Sequence, residues 1–160
     1  MTPAMVGQIV LVLATITTGL GAGLFYAFSC AVMPALHHSD DATRVQAMQR
    51  VNQYIQNGWF ALSFVGAPLL TAVAAILDAV AGNWSRVVGE ALGLALFCSA
   101  LVITAAINIP LNLALDASEP DDPARAWRAF EERWVRWNNV RTLGTAGALA
   151  ALVVTLAFLS

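Results

Sequence analysis

The sequence predicts an all-α protein: a four-helix transmembrane bundle, up-down-up-down, with short cytoplasmic helices in its two longer connections. Three observations carry that prediction. The 160 residues are 59% hydrophobic and 11% charged, with a mean hydropathy of +0.70, well outside the usage of a water-soluble domain. Uncharged apolar runs recur over residues 2–39, 58–77, 91–115 and 142–160. Each reaches or approaches the roughly 20 residues that cross about 30 Å of hydrocarbon. The charges, finally, fall between the runs: Arg44 and Arg50 in the first connection, Arg86 alone in the second, and Arg125, Arg128, Arg133, Arg136 and Arg141 in the third or at the edge of the last run.

The arginine bias places the two longer connections in the cytoplasm and both termini outside it. One integral membrane domain over 1–160 follows, with spans at about 6–33, 58–77, 90–115 and 138–159. The first run has no Lys or Arg before it and exceeds the roughly 7–15 residues of a signal-peptide core, so it is expected to persist as a helix. The bilayer is therefore the main partner. A net charge of −2 with no dense basic run gives no reason to expect nucleic acid.

Span one carries Gly19 and Gly23, a small-xxx-small pair that lets another helix approach closely and would serve a homo-oligomer. Pro34 ends or turns the span, and Ser39, Asp40 and Asp41 offer caps for a helix over 42–56. There Val45, Met48, Val51, Asn52 and Ile55 recur at helical spacing. Span two has Pro68 as a kink, and residues 78–89 form a hairpin loop around Gly82, Asn83 and Trp84. After span three an acidic turn with Pro120 leads to Pro123, suited to the first turn of a helix capped by Asp121 or Asp122. That helix carries Trp127, Phe130, Trp134 and Trp137, aromatics expected at the membrane interface, and span four starts within it.

Span three departs from a plain membrane helix. Thr104, Asn108, Asn112 and Asp116 recur every four residues, each step turning about 40° past a full revolution, so they wind slowly along one side. Pro110 frees the carbonyl of Ala106, four residues earlier. Amides and an opened backbone cannot face lipid without leaving polar groups unsatisfied. Asn138, Arg141 and Thr145 share a face at the start of span four, at a similar depth. Asn112, Asn138 and Arg141 would then supply amide and cationic donors to an oxyanion or phenolate. The alternatives are asparagines bonding neighbouring helices, worth about 0.6–2 kcal/mol each, and an arginine snorkelling to the interface. Asn52 is placed to join the cluster, and Tyr26 needs a partner if buried.

Other chemistries find little support. His37 and His38 are adjacent and point about 100° apart on a helix, and Met33 and His37 have Pro34 between them and no third ligand, so no metal site is expected. Cys30 and Cys98 lie within apolar spans without a ligand-type spacing, and read as packing residues. No phosphate-binding glycine loop precedes a helix in a strand–loop–helix context, so no flavin, nicotinamide or nucleotide cofactor is expected.

Three segments together resemble a known family: Gly23-Leu24-Phe25-Tyr26-Ala27-Phe28 leading to Val32-Met33-Pro34, Ile107-Asn108-Ile109-Pro110-Leu111-Asn112, and Trp134 through Asn138 to Arg141. They are similar to the anthrone oxygenase-like membrane proteins, also called domain of unknown function 1772. The resemblance implies a small four-helix membrane protein and, by way of some fungal members, oxidation of an anthrone or another planar phenol without flavin or metal. On that reading Asn108, Asn112 and Asn138 donate to the substrate enolate, Arg141 stabilises its charge, and Tyr26, Asn52 and Trp137 contact the substrate, with Asp116 a candidate base. The contrasting expectation is a non-enzymatic membrane protein that binds a lipid, a quinone or a partner helix through the same cluster.

Overall fold

In the computed structural model, which describes residues 3–118 and 121–159, every regular element is helical. Helix α1 (Pro3–Ala27) passes through a π-helical turn (Phe28–Val32) into α2 (Met33–His37), and α3 (Asp41–Tyr54) follows. Helices α4 (Gly58–Phe64) and α5 (Gly66–Ala81) form one membrane-length stretch. The next comprises α6 (Trp84–Ile103), a second π turn (Thr104–Asn108) and α7 (Ile109–Asp116), and α8 (Pro123–Phe158) completes the chain. Four stretches, Met5–His37, Gly58–Ala81, Trp84–Asp116 and Pro123–Phe158, are long and apolar enough to cross a bilayer, and the chain is a multi-pass membrane protein.

The long helices make a ring in which α1 packs on α5, α5 on α6, α6 on α8 and α8 on α1. Contacts pair residues in opposite chain order, Gly7 with Leu77 but Gly21 with Ser63, and Gly93 with Leu152 but Gly144 with Leu96, so neighbours run antiparallel. Gly89 and Gly93 both let α6 approach α8 closely: a Cβ at Gly89 would run into the Thr155 hydroxyl, and one at Gly93 would lie 2.9 Å from Leu152 Cδ2 and 3.4 Å from the Ala148 carbonyl. Gly93→Ala is expected to destabilise the bundle by about 1–3 kcal/mol through overpacking, read as a lower unfolding midpoint in detergent. A Cβ added at Gly23 would meet nothing from another element within 4 Å and one at Gly19 would meet Leu149, and the pair borders a shallow outer groove beside α8.

Pro34, Pro68 and Pro110 each leave a mark. Both π turns end two residues before one, at Pro34 and Pro110, and each is closed by an i→i+5 bond, Met33 N–H to the Phe28 carbonyl and Ile109 N–H to the Thr104 carbonyl. The wider turn absorbs the hydrogen bond and the space that the proline ring denies to the preceding turn. At Pro68 the chain breaks instead: the Phe64 carbonyl has no proline N–H to meet, and the helix ends there before restarting at Gly66. The expected kink thus falls one turn ahead of its proline.

At one end of the ring Gly82 takes a left-handed conformation (φ +81°) to close α5, and α6 begins two residues later, a tighter hairpin than residues 78–89 predicted. Asn83 donates to Asp78 at 2.9 Å, and Arg86 pairs with the same carboxylate at 3.2 Å. At the other end Asp40 caps α3 and Asp122 caps α8, whose first turn holds Pro123. Pro120, the other proline assigned to that turn, lies outside the described residues. Trp127, Phe130 and Trp134 face the protein and not the surroundings. They are buried with Phe28, Met33, Val45, Met48 and Leu115, because α3 folds back over the start of α8 and covers them. Cys30 is exposed on the outer surface and so is not a packing residue.

Asp40 accepts from the Thr43 hydroxyl at 2.5 Å and from its N–H at 2.9 Å, and these two bonds hold its carboxyl below the ordinary 3.8. A folded-state pKa below the unfolded one means that the cap stabilises fully above that ordinary value and fades as pH falls through the lower one. Amide exchange at the start of α3 is expected to accelerate on acidification in the parent, and to change less in Asp40→Asn, which caps without a titrating group.

Candidate functional site

The half of the ring nearer α3 encloses a cavity of about 470 Å³, within the size range of small-molecule sites. One wall is Leu24, Phe25 and Phe28, from the end of α1 and the first π turn. Met48, Val51 and Asn52 of α3, with Ile55 and Gln56 just after it, form the roof, and Phe60 and Phe64 of α4 a second wall. Thr104 of the second π turn, with Ile109, Asn112, Leu113 and Asp116 of α7, makes the third. From α8 come Trp134, Asn138 and Arg141. The lining is mostly aromatic and aliphatic, with a few convergent polar groups.

Arg141 is the chemical centre. It is 4% exposed, and its guanidinium lies 4.5 Å from the Phe25 ring centroid and 5.3 Å from that of Trp134. One terminal nitrogen donates to Thr104 Oγ1 at 3.0 Å and the other to Asn138 Oδ1 at 2.8 Å. Both acceptors are held in place. The Thr104 hydroxyl donates to the Ala100 carbonyl at 2.8 Å, which presents its lone pair to Arg141. The Asn138 amide donates to the Phe25 carbonyl at 3.0 Å and to Ser29 Oγ at 2.8 Å, which leaves only its oxygen for Arg141. Ser29 bonds the Thr142 hydroxyl at 3.1 Å, and Thr142 donates to the Asn138 carbonyl at 3.0 Å, closing a ring of bonds between the α1 side and α8.

No carboxylate pairs with this guanidinium among the described residues, and its Nε is buried without a hydrogen-bond partner. A buried cation without a counter-charge is costly, several kcal/mol even after relaxation. Aromatic faces and neutral oxygens offset only part of that. Among the described residues no carboxylate bonds to this guanidinium, so the site can accept an anion.

Asn112 adds a donor. Its oxygen accepts from Trp134 Nε1 at 2.8 Å, fixing the amide so that the NH₂ end is left unpaired on the cavity wall. Asp116, the one carboxylate in the lining among the described residues, accepts from Asn52 Nδ2 at 3.1 Å and is exposed at the cavity's outer end. These groups can bind a planar anion and exchange a proton with it.

Of the residues chosen from sequence, Asn52, Asn112, Asn138 and Arg141 meet around the cavity. Asn108 does not line it. It is 1% exposed behind the wall, donating to the Trp134 carbonyl at 3.4 Å, because the π turn shifts the face of the helix there. Tyr26 is 61% exposed and borders the outer groove, and its neighbour Phe25, a helical step of about 100° away, is the ring that reaches the site. Trp137 is half-buried outside the lining, displaced from Asn138 by the same single step. His37 is on the surface, bonded to Glu131 at 2.7 Å. The sequence reading did not identify Phe60 and Phe64, which stack at 4.8 Å. Their four-residue spacing beside a proline break was the available signal.

The family model described as Anthrone oxygenase matches residues 59–158, which spans α4 to α8 and so the Thr104, Asn112, Asn138 and Arg141 side of the cavity. No curated protein and no solved structure matches the chain.

Proposed function

The chain belongs to the anthrone oxygenase family, and from that premise we propose that it oxidises a planar phenolic substrate of the anthrone type to the corresponding quinone, using the cavity around Arg141. The observation that carries this reading is the buried guanidinium without a carboxylate partner, set between two aromatic rings. An anthrone is neutral until it loses a proton from its central CH₂. The resulting enolate is flat, delocalised and negative at oxygen, which suits a slot with aromatic walls and a cationic end.

Asp116 takes the CH₂ proton. Arg141 and the Asn112 amide then hold the enolate oxygen, lowering the cost of forming the anion. The electron-rich carbon transfers its electrons to dioxygen and forms a C–O bond, and the peroxide takes up a proton. Loss of the second C–H proton with cleavage of the O–O bond releases water and leaves the carbonyl. The balance is one anthrone and one O₂ to one anthraquinone and one water, with the substrate itself as reductant, so this route calls for no bound cofactor. Asn138 positions Arg141 and need not touch substrate.

The test is purified protein in nanodiscs with a hydroxylated anthrone such as emodin anthrone, following quinone absorbance and oxygen uptake together. The expected result is quinone formation well above the spontaneous rate, with equal oxygen consumed. Quinone formation no faster than in empty nanodiscs would remove the oxidation and leave a binding site only.

A further inference from the structure

The cavity wall is not closed evenly. On the hairpin side α5 packs directly on α6, but past the break at Val65 the partners diverge: α4 packs on α1 and α5, while α7 packs on α3 and α8. Among the described residues no packed face joins α4 to α7, yet Phe60 and Leu113 line the same cavity from opposite sides of that gap. Two lining residues of α7, Ile109 and Leu113, are 45% and 61% exposed on the outside of the bundle. They therefore touch both the cavity and the surroundings. From Ile109 to Asp116 the rim extends about 10 Å along the helix axis, apolar at depth and polar at its end.

We propose that this gap is a lateral portal through which an uncharged, planar aromatic molecule dissolved in the bilayer reaches the Arg141 cavity. The identity of the occupant rests on the anthrone reading, but the opening itself does not. A slot with apolar flanks at hydrocarbon depth admits a neutral ring system without exposing a hydrogen-bonding group to lipid. An ion would have to shed its hydration to take that path. Neutral substrate enters, and Asp116 at the rim removes its proton. The anion is then retained by Arg141, because the way back through lipid is closed to a charge. The neutral quinone leaves by the same route.

The test is photolabelling of the full-length protein in liposomes with a bilayer-dissolved aryl diazirine, and in parallel with a sulfonated, membrane-impermeant one. Phe28 and Trp134 are 8% and 3% exposed, so lipid touching the outside of the bundle does not label them. The expected result is that the lipid-phase probe labels peptides holding Phe28 and Trp134, that the charged probe does not, and that Leu113→Trp lowers this labelling at least fivefold. Labelling at Leu20 and Val102, exposed elsewhere on the outside, should stay unchanged and confirms that the variant is folded and inserted. Ile109→Trp provides the same obstruction should Leu113→Trp fail that check. Labelling of Phe28 and Trp134 by the charged probe alone, or by neither, would overturn the portal. Labelling without anthrone turnover would sink the reaction and keep the portal, and turnover without labelling would do the reverse.

Discussion

Arg141→Met is expected to lower kcat/KM for anthrone oxidation about 10²–10³-fold, the usual loss when a donor at a developing oxyanion is removed. The protein should meanwhile remain as stable as the parent, or become about 1–4 kcal/mol more stable. The two effects separate because the guanidinium is buried with no opposing charge bonded to it among the described residues, so its desolvation is not repaid there. Methionine fills similar space between Phe25 and Trp134 and carries no charge. Kinetics and thermal unfolding on one preparation decide the matter. Parallel loss of stability and turnover would assign Arg141 to holding the bundle together through Thr104 and Asn138.

Asp116→Asn is expected to cost about 10²–10⁴-fold in turnover at neutral pH, the contribution of a positioned general base. Asparagine is close in size and can still meet Asn52, so binding of the quinone product should change little. The deficit should shrink as pH rises, because hydroxide at the exposed outer end of the cavity then takes the proton from the bound anthrone. A pH–rate profile that keeps the parent's rate and shape in the variant would place the base elsewhere.

The sequence made the membrane class legible because composition and uncharged run length report directly on the solvent a helix can tolerate. It also brought Asn112, Asn138 and Arg141 to one depth, since helical rise is nearly fixed. Rotation about the helix axis was harder to read. The π turn over Thr104–Asn108 resets the face of span three, and a one-residue step is the whole difference between Tyr26 on the outside and Phe25 on the cavity wall. The aromatic segment of α8 carries charge on one side and rings on the other, a pattern shared by interfacial helices and by helices covered by another element. Only the position of α3 distinguishes them, and that is a tertiary fact. The gap beside α4 was illegible for the same reason: Pro68 announces a bend, but the direction in which the two helices part depends on what each packs against.

On the function proposed above, the unpaired, buried guanidinium makes this cavity selective for the anionic form of a flat phenolic ring system. The most direct measurement of that selectivity is a spectrophotometric titration of a hydroxyanthraquinone bound to the protein in nanodiscs, since phenol ionisation shifts the visible absorbance. Bound ligand should ionise at least about one pH unit lower than in empty nanodiscs, equivalent to about 1.4 kcal/mol of preference for the anion, and the shift should vanish in Arg141→Met. An ionisation pH for bound ligand equal to or higher than that in empty nanodiscs, or a lowered one that persists without the guanidinium, would contradict that selectivity.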